Sequence, residues 1–399
     1  MKILIVNDKL QEGGAEIYVK NLINLLQEEN EVYLMSFDNK FDKDIELKNN
    51  FKIINIKPHT GFLRKINKVM FNPILYLKIR RDIKEINPDR IILNNIFYNP
   101  ITQIKALKNY DVYQVIHDYS IVCPKKTCMK PKNKKCNGYK EENCLKECNY
   151  HGSKVNIFLR LLFTKKMEKL RKKIIKKLIA PSENLYRYLL RFNYNSICIN
   201  NPIDVQKFKN NNKNEKLDKN IKTYIYVGSI NEIKGIFKLM EYFNIFAKDK
   251  NVKLNIIGRP TSKSDKEELE RKLKIYKKIN YLGSMNNEDA LKEIANSYCI
   301  IVPSIWMENY PTTVLEGMLS KTLVVASNNG GMKDMLAENR GFIFDIFDRE
   351  KTIETLDKSF SLSKKNYEKI VENAYKYTIE NNSFSTYKQK LYKNIEIGK

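Results

Sequence analysis

Two glutamates, Glu308 and Glu316, lie eight positions apart in the stretch MENYPTTVLEG, with a proline between them. Pro311 suits the first turn of a helix, so residues 312–319 are predicted to be helical and Glu308 to lie on the preceding loop. On a single helix the two carboxylates would point about 80° apart, because each residue turns the helix by about 100°. The arrangement of loop and helix instead allows both carboxylates to reach one bound molecule.

Two glycine-containing loops follow predicted strands and could bind phosphate groups. In the first, Gly13 and Gly14 precede a predicted helix, whose N-terminus favours an anion close to the backbone. In the second, the stretch YVGSINEIKG places Lys234 near a helix start, where its ammonium suits a diphosphate. This spacing is not that of a Walker loop. A structural glycine turn and a solvated lysine remain the alternatives.

A third group of candidate residues is a cluster of five cysteines within 26 residues, followed three positions later by His151. The cysteines are Cys123, Cys128, Cys136, Cys144 and Cys148. Five thiols and an imidazole exceed the four ligands of a tetrahedral zinc, and the spacing matches no standard zinc finger. We predict a structural zinc here, with an iron–sulfur cluster, free thiols or disulfides as alternatives.

Alternating strands and helices must position these residues. Apolar, β-branched segments such as KILIVN, EVYLMSF, FKIINI and DVYQVIHD alternate with helical patterns in the first half. The same pattern resumes later with TYIYVGS, VKLNIIG, CIIVPS and TLVVAS. Nearly continuous apolar strands separated by helices predict parallel, doubly wound sheets that are buried on both faces.

The pattern predicts an α/β protein with two Rossmann-like domains. Residues 1–200 would form the N-terminal domain, with a cysteine-rich insertion at 119–152. Residues 201–377 would form the C-terminal domain after a linker, and residues 378–399 a helix that packs back towards the N-terminal domain. Such sheets bind ligands at the carboxyl ends of their strands, and two of them facing each other enclose a cleft.

The chain of 399 residues carries a formal charge of +26, which predicts attraction to polyanions such as nucleic acid, anionic lipid or phosphorylated molecules. Lysine-rich solvated faces are the plainer interpretation. No apolar run approaches the roughly 18 residues that span a bilayer, and MKILIVND becomes polar too early for a signal peptide. We therefore expect a cytoplasmic protein.

Two segments, GFLRKINKVMFNPILYLKIRRDIK and VNIFLRLLFTKKMEKLRKKIIKKL, mix basic and large apolar residues. From Lys154 to Lys177 there are ten basic residues, and Glu168 is the single acid. One helical face of this segment would hold the apolar residues Val155, Phe158, Leu159, Leu162, Leu170 and Ile174. Such a face either lies on an anionic membrane or packs into a core with a solvated back.

Several of these motifs together resemble glycosyltransferase family 4. The stretch PSIWMENYPTTVLEGMLSKTLVVASNNGG resembles the family's E-x7-E segment. The motifs GGAE, HD, APSE, NNPID, VGSINEIKG, IIG and YLGS extend the likeness over most of the chain. The resemblance implies a GT-B fold and a retaining transfer of a hexosyl-type sugar from a nucleotide-sugar donor, with no metal needed for the step. A D-x-D pair in the polar segment around Asp42 is discounted accordingly.

The resemblance also implies a role for each candidate residue. His117, Lys234 and Glu308 would be catalytic: Lys234 would neutralise the leaving diphosphate, while Glu308 and His117 would line the sugar site. Glu316 would hold the ribose hydroxyls of the donor. Further donor contacts, several through backbone amides, would come from Gly13, Gly14, Gly228, Ser229, Asn309, Tyr310 and Thr312.

The chain departs from the family at two points. Ser229 stands where an arginine is usual, which leaves Lys234 as the main cation at the diphosphate. ENYP replaces the commoner EGFG, so the donor-sugar pocket is expected to differ.

We expect a transferase for capsule-like or O-antigen-like cell-surface polysaccharide, using a UDP- or GDP-sugar and a glycan or polyprenyl-linked acceptor. It would associate peripherally with the inner face of the plasma membrane. The alternatives are a nucleotide-sugar epimerase of related fold and a non-enzymatic polyanion or RNA binder. The second lacks a recognisable nucleic-acid motif.

Overall fold

The computed structural model describes residues 1–9, 14–37, 51–56, 70–130, 135–140, 143–148, 154–208 and 220–398. The chain forms two compact units. The N-terminal unit consists of Met1–Pro202 together with Phe384–Lys399, and the C-terminal unit of Ile203–Ser383. The predicted Gly13, the Asp42 pair and His151 lie outside the described residues.

The N-terminal unit is built on a seven-stranded sheet in the order β3-β2-β1-β4-β5-β6-β7, with every pair of neighbours parallel. Its strands are β1 (Lys2–Val6), β2 (Glu31–Ser36), β3 (Phe51–Asn55), β4 (Arg90–Leu93), β5 (Val112–Val115), β6 (Ile175–Ala180) and β7 (Ser196–Cys198). The central strands consist almost entirely of buried apolar residues, as expected for strands covered on both faces.

Helices connect these strands and cover the sheet. They are α1 (Gly14–Leu26), α2 (Pro73–Ile86), α3 (Pro100–Ala106), α4 (Cys144–Glu147), α5 (Lys154–Ile174) and α6 (Glu183–Arg191). Local sequence sets their ends: the Asn72 side chain accepts a hydrogen bond from the Leu75 amide ahead of α2, and Asn87 ends that helix in a left-handed conformation. Ser182 caps α6 in the same way as Asn72 caps α2.

The C-terminal unit contains a second parallel sheet, of six strands in the order β10-β9-β8-β11-β12-β13. Its strands are β8 (Lys222–Val227), β9 (Val252–Ile257), β10 (Ile279–Tyr281), β11 (Cys299–Val302), β12 (Leu323–Ser327) and β13 (Phe342–Phe344). Its helices are α7 (Ile236–Phe246), α8 (Lys263–Ile275), α9 (Asn287–Asn296), α10 (Thr312–Leu319), α11 (Met332–Met335), α12 (Arg349–Phe360) and α13 (Lys364–Asn382). The predicted α/β class with two doubly wound parallel sheets is confirmed.

The last helix, α14 (Phe384–Ile395), belongs to the N-terminal unit. Tyr387, Leu391 and Ile395 are buried in the core of that unit, and the Tyr387 hydroxyl is hydrogen-bonded to that of Tyr18. The sequence placed the start of this segment at residue 378. The structure moves it to Phe384, because α13 continues unbroken to Asn382.

Helix α5 presents apolar residues on two sides. Ile157 and Met167 are buried, whereas Val155, Phe158 and Leu159 are exposed. Leu162, the fourth residue of the predicted apolar stripe, is exposed as well. The interpretation of this stripe as a core face is therefore wrong at its N-terminal half. No helix in the described part of the chain is long and apolar enough to cross a membrane.

Candidate functional site

An ion pair between Lys234 and Glu308 lies at the carboxyl edge of the C-terminal sheet. Lys234 Nζ donates to Glu308 Oε1 at 2.6 Å. The same oxygen accepts from Ser304 Oγ and from Trp306 Nε1, each at 2.7 Å. The lysine ammonium also lies 5.0 Å from the centroid of the Trp306 ring. Two residues 74 positions apart in sequence are thus held in one charged centre.

A tight turn after β8 places Lys234 there. The Asn231 side chain accepts from the Lys234 amide at 3.0 Å and caps the short 3₁₀ turn Glu232–Lys234. The turn ends at Gly235, where φ is +75° and a Cβ would lie 1.9 Å from the Pro303 carbonyl oxygen. A side chain at this position would push the turn away from the end of β11, so glycine is required for the contact.

The loop after β12 fixes Glu308 from the other side. Asn329 Nδ2 donates to the Ser304 carbonyl at 2.9 Å, and the Gly331 amide donates to the Glu308 carbonyl at 2.8 Å. Gly330 has φ +79°, and a Cβ there would lie 1.8 Å from the same Glu308 oxygen. The Asn-Gly-Gly sequence is what allows this close approach of two backbones.

Glu316 is on helix α10, as predicted, but in a different setting from Glu308. Among the described residues, no hydrogen-bond or ion-pair partner of its carboxylate is present. Burial raises the pKa of Glu316 to about 7. A half-buried carboxylate without a partner among the described residues is an acceptor available to a ligand.

The residues between the two glutamates contribute mainly through their backbone. Helix α10 begins at Thr312, directly after Pro311, so the amides of its first turn are oriented for an anion. Asn309 and Tyr310 are buried. The Tyr310 hydroxyl exchanges hydrogen bonds with the side-chain amide of Asn382, at 3.2 and 3.0 Å. The Tyr310 ring therefore belongs to the core of the unit, and only its backbone is left for a donor.

Arg259 is a cationic residue beside the glycine loop after β8 that the sequence reasoning missed. Gly228 and Ser229 follow β8, and the Tyr226 hydroxyl donates to the Ser229 carbonyl at 2.7 Å. The Ile230 amide in turn donates to the Arg259 carbonyl at 3.0 Å, so Arg259 stands beside this loop at the end of the neighbouring strand β9. Its side chain is exposed, without an ion-pair partner among the described residues. The signal was present in IIGRP, where an arginine follows a strand-ending glycine.

In the N-terminal unit, His117 lies just beyond the carboxyl end of β5. Its Nε2 donates to Asn94 Oδ1 at 3.1 Å, and the Tyr18 ring packs against it edge to face at 5.0 Å. Burial lowers the pKa of His117 to about 4, so the imidazole is neutral at pH 7. Asn94 is buried, and its Nδ2 has no hydrogen-bond partner in the part of the chain that the structure describes. The predicted sugar-site histidine is therefore uncharged and firmly oriented.

Asp8, two residues beyond β1, is a second buried group at this edge that the sequence reasoning missed. Its carboxylate accepts hydrogen bonds from the Phe97 amide, from the Tyr98 amide at 2.5 Å and from Gln103 Nε2 at 2.8 Å. Burial nevertheless raises the pKa of Asp8 to about 7. The sequence feature that could have identified Asp8 was the Asn-Asp pair directly after an apolar strand. Gly14 begins α1 after the same strand, and a Cβ added to it would meet no atom within 4 Å.

The five clustered cysteines are all buried, and all seven cysteines of the chain are free thiols. A hydrogen bond from the Cys128 thiol lowers the pKa of Cys123 to about 6, whereas burial raises that of Cys144 to about 12. Within the described ranges no group of three or more Cys, His, Asp or Glu side chains is arranged to hold a metal ion. The zinc stays a prediction.

Comparison with known proteins identifies a family match in the part of the chain that holds these residues. Residues 207–377 match the family model described as Glycosyl transferases group 1. The group 1 match lies within the C-terminal unit and includes Lys234, Glu308 and Glu316. It supports the predicted resemblance at this broader level, and family 4 itself stays a prediction.

One curated relative and several solved structures are similar to the chain. The relative is an uncharacterized glycosyltransferase, MJ1607, of Methanocaldococcus jannaschii, 28% identical over 115 residues, a match covering 29% of this chain and 29% of that protein. Anabaena HepE in complex with UDP has a TM-score of 0.74 at 16% identity and covers 99% of this chain and 100% of its own. A glycosyltransferase from Rickettsia africae has a TM-score of 0.72 at 18% identity, covering 100% of this chain and 99% of its own.

A third solved structure, sucrose-phosphate synthase from Thermosynechococcus elongatus, has a TM-score of 0.73 at 15% identity, with full coverage of both chains. At these identities the likeness concerns the fold. The chain has the GT-B fold of these glycosyltransferases.

Proposed function

We propose that the chain is a retaining glycosyltransferase that moves a sugar from a UDP- or GDP-sugar to a glycan or lipid-linked acceptor. The observation that carries this proposal is the pairing of two different acids at one sheet edge. One oxygen of Glu308 accepts from Lys234 and two neutral donors, while the half-buried Glu316 has no partner among the described residues. A nucleotide sugar offers a diphosphate for the lysine and a ribose diol for the free carboxylate.

Glu316 is suited to the ribose. Hydroxyl groups that donate to its oxygens would favour the ionised form and lower the pKa that burial has raised. Without a ligand the charged form is disfavoured, so the site gains more from a diol than an exposed glutamate would gain.

Lys234 is suited to the leaving group. During transfer the bond between the anomeric carbon and the diphosphate oxygen breaks, and both electrons leave with the diphosphate. The new bond forms from the acceptor oxygen on the same face of the sugar, and the acceptor proton goes to the departing diphosphate. A preorganised ammonium and the first amides of α10 stabilise the charge that develops in this step.

The neutral imidazole of His117 suits a sugar hydroxyl better than a phosphate. HepE, whose solved structure contains UDP, supports the assignment of a nucleotide-sugar donor. A role in cell-surface polysaccharide assembly at the inner face of the plasma membrane completes the proposal. Support for it comes from the basic charge of +26 and from the exposed apolar residues of the N-terminal unit.

A thermal-shift screen of nucleotide sugars tests the donor. We expect a UDP- or GDP-sugar to raise Tm, and Glu316→Gln to remove most of that shift. Glu288→Gln, which changes an exposed glutamate of the same unit, is the matched control and should keep it. An RNA-binding protein without enzymatic function would ignore every nucleotide sugar, and that outcome would overturn the proposal.

Product analysis separates the transferase from an epimerase. A transferase releases nucleoside diphosphate when an acceptor is supplied, whereas an epimerase returns an intact nucleotide sugar of altered configuration without any acceptor. The configuration of the new glycosidic bond, read by NMR, tests retention.

The predicted structural zinc has its own test. Metal analysis of the purified protein should find about one zinc per chain, a ratio set by a single tetrahedral site. Absence of zinc with all five clustered thiols open to titration would contradict it.

A further inference from the structure

Two helices of the N-terminal unit expose large apolar side chains. The residues are Ile74 and Leu77 on α2, and Val155, Phe158, Leu159 and Leu162 on α5, each with 46% to 78% of its surface exposed. Single exposed apolar residues are ordinary on protein surfaces, but rows of them on two helices that pack against one common helix, α3, are not. We call these six residues, with the basic residues that continue their rows, the α2/α5 surface.

On α5 the apolar row continues into a lysine row. Val155, Phe158 and Leu162 are spaced by three and four positions and share one helix face. At the same spacing the face continues with Lys166, Lys169 and Lys173, all exposed. The three lysines lack ion-pair partners among the described residues. One side of α5 is therefore apolar in its first half and uniformly cationic in its second.

Helix α2 repeats this order. Ile74 and Leu77 occupy its first turns, and the row continues with Arg81, whose side chain is 75% exposed. Lys84 follows one turn later and is exposed as well. The opposite side of α2 is buried through Leu75, Ile79, Ile83 and Ile86. The residues of the exposed row thus do not contribute to the core packing of this helix.

The two helices lie on one face of the sheet and run in the same direction. The short helix α3 packs against both of them, and its Lys105 ammonium lies 4.7 Å from the ring centroid of Phe71, just ahead of α2. Helix α2 leads into β4, and α5 leads directly into β6. A helix that leads into a strand of a parallel sheet returns from the carboxyl edge, so both apolar halves lie at that edge.

We propose that the α2/α5 surface docks the protein on an anionic lipid bilayer. The apolar halves enter the interface, and the lysine and arginine halves lie along the phosphate headgroups. Since Asp8 and His117 lie at the same carboxyl edge, this edge of the N-terminal unit would face the lipid. The docking stands independently of the donor chemistry, while a lipid-linked acceptor at this edge rests on the proposed function.

The pattern favours lipid over other occupants. A nucleic acid would use the lysines and leave the apolar rows in water. A second copy of this chain would bring the same positive charge against itself, which disfavours association. A bilayer containing anionic lipid complements both halves of the surface.

Co-sedimentation with vesicles tests the proposal, using phosphatidylcholine with and without phosphatidylglycerol. We expect the protein to pellet with the anionic vesicles only. The apolar double variant Phe158→Ser/Leu162→Ser should lower partitioning by about tenfold at any salt concentration. The charge variant Lys166→Glu/Lys169→Glu/Lys173→Glu should lower it by about a hundredfold at low salt.

Two controls keep the outcome decisive. Ile245→Ser removes an apolar side chain that is 48% exposed, as Leu162 is, but lies in the C-terminal unit, and it should bind vesicles normally. All variants should keep the Tm shift with a nucleotide sugar, which shows that they fold and separates this test from that of the donor site.

Three results would overturn the docking. One is equal sedimentation with and without anionic lipid, and another is unchanged vesicle binding by both multiple variants. The third is binding of a labelled single-stranded RNA, or self-association in solution, that the variants abolish while wild type ignores vesicles.

Discussion

The carboxyl edges of the two sheets carry different kinds of polar residues. In the C-terminal unit the edge has the Lys234–Glu308 salt bridge and, on helix α10, the Glu316 carboxylate, which has no partner among the described residues. In the N-terminal unit the edge has a neutral histidine and a buried aspartate that holds backbone amides. On the proposed function, the first edge would suit a ligand with both charge and hydroxyls, and the second would suit uncharged groups. The residues at the strand ends would then give one fold two ligand chemistries.

Lys234→Ala is expected to reduce activity more than any other substitution considered. It removes the cation and leaves Glu308 without its charged partner, so we expect kcat/KM to fall by about 10²- to 10³-fold. Nucleoside diphosphate release measures it. Lys263→Ala, at a lysine side chain that is 91% exposed, is the matched control. An active Lys234→Ala enzyme would show that the charged edge is not the catalytic one.

Glu316→Gln should raise the donor KM by about 10- to 30-fold, because the ribose loses a charged acceptor. The pKa of Glu316 is raised to about 7, so its ionised form is depleted below that pH. Donor affinity of the wild type should therefore weaken as the pH falls from 8 to 6. Calorimetry across this range measures it, and a pH-independent wild type would contradict the role of Glu316.

Arg259→Ala tests whether the charged edge extends to β9. Its side chain is exposed and its backbone lies beside the loop that follows β8, so we expect a loss of donor affinity of about fivefold. The effect should shrink with added salt. Arg271→Ala, at an exposed arginine paired with Glu268, is the control and should bind the donor like wild type.

Asp8→Asn changes a residue of the N-terminal unit and should alter activity least. The folded-state pKa of Asp8 is raised to about 7, so the folded protein binds more protons than the unfolded chain between about pH 4 and 7. The free energy of unfolding therefore decreases as the pH rises through this window, by about 4 kcal/mol at about 1.4 kcal/mol for each pH unit. Asp8→Asn should flatten that dependence in urea denaturation.

Glu316 also makes the free energy of unfolding decrease as the pH rises, because its pKa is raised as well. A nucleotide sugar should reduce the contribution of Glu316 to this pH dependence and leave the contribution of Asp8 unchanged. If one ligand removed both contributions, the two edges would not be chemically distinct. Asp82→Asn, on α2, is the control for the aspartate change.

Much of the fold followed from the sequence, because buried parallel strands leave nearly continuous apolar runs that are easily found. The E-x7-E spacing likewise placed Glu308 on a loop and Glu316 on a helix. The Lys234–Glu308 contact could not be read this way, since it depends on the order β8-β11 in the sheet. Tyr310 turned inward because Asn382, 72 positions away, pairs with its hydroxyl.

Helix α5 shows a second limit. Periodicity identifies which residues share a face, but a helix with apolar residues on two sides does not reveal which side the core takes. Ile157 and Met167 are buried, and the longer apolar row is left in solvent. Arg259 was missed for a related reason, because its neighbour Ile230 belongs to another strand connection.

The Lys234–Glu308 pair has a consequence for selectivity. In the resting protein the ammonium is already occupied by a carboxylate, so a stray phosphate must displace Glu308 and leaves that acid without its cation. On the proposed function, a nucleotide sugar would offer phosphate oxygens to Lys234 and sugar hydroxyls to Glu308 in the same binding event. Such a site would favour a ligand that engages both residues over one that engages only one of them.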